Sequence, residues 1–333
     1  MWCFLLFTLA SCLFNEGLCS SPTHHHNHKR QSKSRTTPPP NCIPIGKDTK
    51  NPTIKSALAS LGTGNTPACL FLNPGTYQEQ IVINYKGPLT VYGSTPNSAA
   101  YSANTVTITH SVNSATAGNL DKSSTVLVMS SNVKFYNVNF KNGFGPEKSQ
   151  AVAFTAHEDS RHLSFYACQF LSHQDTLYVK SGSTTYFNAC YIEGNTDFIF
   201  GGGSAWLQSS TIASNAPGYI TASGRDKDDP SWFVFDKCKI IATPNSKLSG
   251  KVFLGRPWRK LARVMFQNSM LSDILHKEGW TKMADGATPL FYEWNNTGAG
   301  AKIEGRRMES KATGAVKIES VLRDWEGWVD RKF

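Results

Sequence analysis

Two aspartates stand at matching places in neighbouring, similar stretches of the sequence. Cys168 belongs to LSFYACQF and Cys190 to TYFNACYI, and Asp175 and Asp197 each follow their own cysteine by seven residues. If each stretch is one turn of a coil, the carboxylates are stacked neighbours about 4.8 Å apart, the spacing of paired strands. Two carboxylates in one low-dielectric cleft resist ionising together, so one is kept protonated as a general acid while the other serves as base or nucleophile. That division needs a cation beside the second acid. Arg256 in LGRPW, on a turn from Gly255 to Pro257, is the natural candidate. An arbitrary pair of aspartates is usually a pair of solvated turn residues; the repeat registration and the apolar flank Phe198, Ile199 and Phe200 set this pair apart.

Gln174, beside Asp175, and Gln150 in QAVAF offer neutral NH₂ donors. Such donors suit a developing oxyanion because they stabilise it without neutralising a nearby carboxylate; amides that cap turns of the coil are the plainer alternative. His173 reads as a turn residue before it reads as a base. Trp258, Trp206, Tyr219 and Trp280 could floor a sugar site or fill the core, and Trp258, two residues from Arg256, is the one expected in the cleft. There is no Gly-x-Ser-x-Gly elbow and no HExxH, which argues against serine and zinc hydrolases. GGGSAW lacks the strand-to-helix context of a nucleotide loop.

The elements that must position these residues are short strands. Aligning VKFYNVNF, LSFYACQF, TYFNACYI, AWLQSSTI, FVFDKCKI and VMFQNSML puts Phe135, Phe165, Phe187, Leu207, Phe235 and Phe266 at the third place of each, recurring every 20 to 31 residues. A period of this size with variable excess predicts an all-β solenoid, a stack of coils with insertions on one side. Propeller and leucine-rich spacings are absent, and a β-sandwich with coincidental similarity is the competing architecture. Thr53 caps a short helix with Ile54, Leu58 and Leu61 on one face, ended by Gly62 and Gly64. ACLFLNPGTYQEQIVIN reads as two short strands about a Pro74-Gly75 turn, and Val316, Ile318, Val321, Leu322 and Trp325 as a C-terminal capping helix or turn.

The 333 residues carry a formal charge of +10, which favours polyanions: nucleic acid, anionic lipid or acidic polysaccharide. Zinc-type CxxC pairs, an aromatic RNA-binding strand and a dense basic helix are all missing, so no nucleic-acid partner is expected. Residues 1–19 have the layout of a secretory signal and no later run is long enough to span a membrane. A soluble, secreted monomer without membrane attachment is expected. Residues 20–41 are polar, basic and proline-ended, a disordered leader holding the His24, His25, His26 and His28 cluster and a candidate dibasic cleavage site at Lys29-Arg30. The catalytic domain is expected over 42–333. Of the cysteines beyond the signal, Cys42 and Cys69 are the first pairing expected, while Cys168, Cys190 and Cys238 share a repeat position that suits inert core thiols as well as a bridge. Asn295-Asn296-Thr297 is an N-glycosylation acceptor in an exported chain.

Together these residues resemble the pectin methylesterase family of carbohydrate esterases, whose signature segments stand here in order as GTYQE (75–79), QAVAF (150–154), QDTL (174–177), DFIFG (197–201) and LGRPW (254–258). The resemblance runs from about Cys42 to the end and implies a right-handed parallel β-helix with a surface cleft, no metal and no organic cofactor. It implies Asp197 as the nucleophile on the C6 carbonyl of a methyl-esterified galacturonate in pectin, and Asp175 as the acid that releases methanol and then the base that activates water. Arg256 would keep Asp197 ionised, Gln150 and Gln174 would line the oxyanion site, and Trp258, Phe200 and Thr196 would touch the substrate. Ser223 in TASGR departs from the glutamine common in plant members, and the absence of a long plant-type pro-domain makes the chain look more like microbial or invertebrate forms. Other pectin-active solenoids, a lyase or a polygalacturonase, or an inactive wall-binding homologue, are the alternatives. A lyase would want a calcium-binding acid cluster, which the sequence around Asp175 lacks.

Overall fold

The computed structural model describes residues 33–146 and 149–333. Short parallel strands wind around three faces. The first face is a ten-stranded sheet running from Ile43–Ile45 through Val133–Tyr136, Leu163–Tyr166, Thr184–Asn188 and Ser204–Gln208 to Leu290–Trp294. The other two faces join into one thirteen-stranded sheet, because Tyr191–Gly201 and Thr211–Ser223 pass through the corner between them with only register shifts. This is a right-handed parallel β-helix, with a short N-terminal helix and a C-terminal cap.

In-register parallel pairing places like positions directly above one another, and the third-place residues form an unbroken ladder. Phe135 lies opposite Phe165, then Phe187, Leu207, Phe235 and Phe266 follow in turn. Their rings stack, with centroids 4.7 Å apart for Phe165 and Phe187 and 4.2 Å for Phe235 and Phe266. Two places further on, Asn137, Ala167, Ala189, Ser209, Lys237 and Asn268 all adopt left-handed backbone with φ between 47° and 56°. One such residue per coil turns the chain off the first face, at a local cost that only the surrounding coil can offset. The next place returns inward, and there Cys168, Cys190 and Cys238 are buried free thiols, with burial pushing Cys238 up to about 12. At the last coil the ladder ends on Glu293, gripped by Arg306 (2.7 and 3.0 Å) and by the Trp280 indole N–H (3.2 Å).

The helix Ile54–Leu61 starts at Thr53, whose hydroxyl accepts from Ser56 N–H, and ends at Gly62, as its sequence predicts. Cys42 and Cys69 form a disulfide. The C-terminal segment lies along the outside of the first face, where Val321, Leu322, Trp328 and Val329 cover Tyr136, Tyr166, Trp206 and Met265. Asp330 ties it down, accepting from the Tyr136 hydroxyl and donating its N–H to the Tyr166 hydroxyl.

Two expectations need correction. The stretch 68–83 holds three strands, Ala68–Leu72, Gly75–Gln78 and Ile81–Ile83, each paired with a later coil and none with another of the three. Alternation and turn residues mark coil corners as readily as a two-stranded unit, so the pattern alone could not separate them. The segment read as a disordered leader is held from at least Arg35, which pairs backbone to backbone with Thr95 and stacks its guanidinium 4.5 Å from the Tyr92 ring centre. A polar, proline-ended composition hides a docking made by backbone pairing of Lys33 and Arg35 with Ser98 and Thr95 and by the Arg35 guanidinium. The signal, the histidine cluster and Lys29-Arg30 lie outside the described residues.

Phe187→Ala should destabilise the protein by about 3–5 kcal/mol through the cavity it leaves in the ladder. Val82→Ala, on the half-exposed outer side, should stay within about 0.5 kcal/mol. Urea unfolding midpoints measured side by side check both.

Candidate active site

The register of the third face builds the site. Leu177 pairs opposite Ile199 and Gln174 opposite Thr196, so Asp175 and Asp197 fall at facing positions of successive coils. Asp175 N–H donates to Thr196 O (3.0 Å), which locks the two corners together. Both aspartates are themselves left-handed, with φ of 63° and 51°, a conformation that Asp tolerates better than most residues. The corner closes only because residue 194 is glycine: a Cβ there would come within 2.3 Å of Phe198 Cβ and 2.7 Å of His173 O.

The two aspartates are 7% and 6% exposed, and the surroundings of their carboxyls differ. Asp197 is gripped by Arg256 side-on, Nε to Oδ1 at 2.8 Å and Nη2 to Oδ2 at 2.7 Å, a bidentate charge-assisted pair. Burial works against the Arg256 charge, but its hydrogen bonds and charge interaction with Asp197 outweigh that and raise its pKa. The guanidinium also lies 4.0 Å from the Tyr219 ring centre, and Tyr219 stacks in turn on Phe253. Among the described residues no such cation pairs with Asp175. Burial, then the charge of Asp197, push its carboxyl well above the ordinary range, against weaker opposition from Arg256 and a hydrogen bond from Gln174. One carboxyl therefore favours its proton while its neighbour one coil away is bound to a guanidinium.

A cleft of about 180 Å³ opens over the pair, lined by Gln150, Gln174, Asp175, Asp197, Phe200, Arg256 and Trp258 together with Leu120, Ala222 and Met283. Gln150 Oε1 accepts from the Ser114 hydroxyl (2.7 Å), leaving its NH₂ end for the cleft. Phe200 stacks on Tyr178 (4.3 Å), and Trp258 leans on Phe200 at 5.9 Å. Trp258 lies against Gly224, where a Cβ would meet the indole at 2.6 Å.

Seven of the eight sequence-predicted site residues thus meet in one cleft. Thr196 does not line it and contributes its backbone carbonyl instead. His173 sits in the corner turn, its carbonyl accepting from Asn195 N–H. Trp280 is core, stacked on Phe291, and Trp206 lies under the C-terminal segment. Ser223 holds the wall, its carbonyl accepting from the N–H groups of Trp258 and Arg259. Sequence reasoning missed Leu120 and Met283, which come from insertions outside the repeat, and Tyr219's role under Arg256. The pairing of Tyr219 with Thr196 and Phe253 across the repeat was the signal that could have found it.

A parallel β-helix with paired, differently partnered aspartates on its third face defines a class of carbohydrate-active solenoid. The family model for pectinesterase matches residues 44–319. The probable pectinesterase A of Neosartorya fischeri is 50% identical over 301 residues, covering 90% of this chain and 92% of that one. The crystal structure of the pectin methylesterase from Aspergillus niger, solved with an N-acetylglucosamine stub, superposes with a TM-score of 0.88 at 48% identity, covering 90% of this chain and all of that one. The carrot pectin methylesterase superposes with a TM-score of 0.79 at 26% identity, covering 90% of this chain and 98% of that one. The chain belongs to the pectinesterase family of carboxylic ester hydrolases.

The raised Asp175 carboxyl has a consequence for stability. Above the ordinary carboxyl value of 3.8 the unfolded chain gives up this proton while the native chain keeps it, so Asp175 lowers stability progressively as pH rises toward its raised native value. Asp175→Asn should therefore raise Tm at pH 7, with the gain fading as pH falls toward 3.8. Scanning calorimetry across that range checks the sign.

Proposed function

We propose that this protein hydrolyses the C6 methyl esters of galacturonate units in pectin, releasing methanol and leaving a free carboxylate on the polymer. The observation that carries the mechanism is the asymmetry of the two acids: Asp197 bound bidentately by Arg256, Asp175 holding its proton one coil away. Asp197 attacks the ester carbonyl carbon, and the charge that develops on the carbonyl oxygen is met by the NH₂ groups of Gln150 and Gln174. As the tetrahedral intermediate collapses, the C–O bond to the methoxy group breaks and Asp175 gives its proton to departing methanol, leaving Asp197 acylated. Asp175, now a carboxylate, takes a proton from water as that water attacks the acyl carbon. The bond to Asp197 breaks, the polymer leaves as a carboxylic acid that ionises in water, and both aspartates regain their starting states.

Trp258 and Phe200 form an aromatic wall that suits a sugar ring's apolar face. The signal-like layout of residues 1–19 supports export to the extracellular space where pectin lies, and Asn295, exposed after the last strand, supports N-glycosylation on the way.

Asp197→Ala should lose on the order of 10⁴-fold or more in kcat for methanol release from methylated pectin, and Asp175→Asn should fall steeply as well. Gln150→Ala and Gln174→Ala should each lose about 10²–10³-fold in kcat with KM little changed. Wild-type-like methanol release by Asp197→Ala would end the nucleophile assignment, and shortening of the polymer without methanol would redirect the reading to a polysaccharide-cleaving enzyme.

A further inference from the structure

Three of the six most exposed large apolar side chains among the described residues, Leu290, Trp294 and Ile303, gather at the C-terminal end of the β-helix. Ile303 is 54% exposed and Trp294 37%. Both line a groove of about 590 Å³ with Ala301, Glu309 and Lys311, and Asn295 stands in the same wall. That volume lies within the roughly 300–1,000 Å³ typical of small-ligand sites. A solenoid must cover its last coil, and here the inner ladder closes on the buried Glu293 and Arg306 pair while the rim beside it stays apolar.

Asn295-Asn296-Thr297 is the only Asn-x-Ser/Thr triplet without an intervening proline in the 333 residues. It falls in the turn directly after Trp294, with Asn295 exposed and its Nδ2 donating to Asn268 Oδ1 at 2.9 Å. We propose that Asn295 carries an N-linked glycan whose first sugars occupy this groove, lying on Trp294 and Ile303 and completing the end cap of the β-helix. In the modification, Asn295 Nδ2 loses one proton and displaces a polyprenyl diphosphate from C1 of the N-acetylglucosamine of a lipid-linked oligosaccharide. A C–N bond forms, and the remaining N–H keeps the bond to Asn268. The indole face suits the apolar face of a sugar, while Glu309 and Lys311 offer an acceptor and donors to hydroxyl and acetamide groups. The proposal rests on the export reading, since the acceptor is met only in the secretory route.

The test uses the full chain secreted from a eukaryotic host, and in parallel the chain from residue 20 onward behind an unrelated export signal. Treatment with peptide-N-glycosidase should lower the intact mass of the wild type and leave Thr297→Val unchanged. Thr297→Val should show a Tm lower by about 2–4 °C, several-fold more binding of an apolar dye and unaltered methanol release. Trp294→Ser should keep the glycan mass but lose the Tm difference between its treated and untreated forms. A secreted protein with no glycan, or a glycan whose removal changes neither Tm nor dye binding, overturns the proposal. Failure of the natural signal alone, with glycan present behind the unrelated one, counts against the export reading and leaves the site standing.

Discussion

The structure depends on the register between successive coils. Side chains alternate across a strand, so a slip of one residue would turn the aromatic ladder outward and carry Asp175 away from Asp197 together. The same pairing that stacks Phe165 on Phe187 therefore aligns the reacting groups. Packing supplies the penalty for misalignment, because the ladder residues are essentially without solvent contact and any slip would expose a file of rings. Chemistry at this site is a by-product of core packing held to one register.

Within that frame the electrostatics follow from what each acid touches. Asp197 loses water and gains two short hydrogen bonds from a planar guanidinium, itself backed by the Tyr219 ring. Asp175 loses water to a similar extent and meets a negative neighbour first. Two residues of one type at one repeat position thus come to differ in what they touch: the single arginine is delivered to Asp197, while burial and a negative neighbour raise Asp175. Arg256 reaches its place through the outward row that runs Tyr178, Phe200, Ala222, Arg256 across the coils.

Much of this was legible in the sequence because it repeats. The third-place ladder, the inward cysteines and the matched aspartates all recur at readable spacing. The left-handed corner at the fifth place was not, since Ala167, Ala189 and Lys237 carry no turn signal and are forced there by the coil on either side. Thr196 was named for its adjacency to Asp197 along the chain, and what its position supplies is a backbone carbonyl that accepts from Asp175 N–H. Leu120 and Met283 arrive from loops whose lengths follow no period. Arg35 was read with its polar surroundings, although its cation is what binds the start of the fold to Tyr92.

The cleft draws on consecutive middle coils, from Gln150 through Asp175, Asp197 and Ala222 to Arg256, with further coils on both sides. In a linear stack each rung leans only on its neighbours, so fraying begins at the two ends and must travel inward before it reaches the reacting groups. The outermost rungs act as sacrificial padding. They can loosen, or accept inserted loops, while the centre keeps its shape.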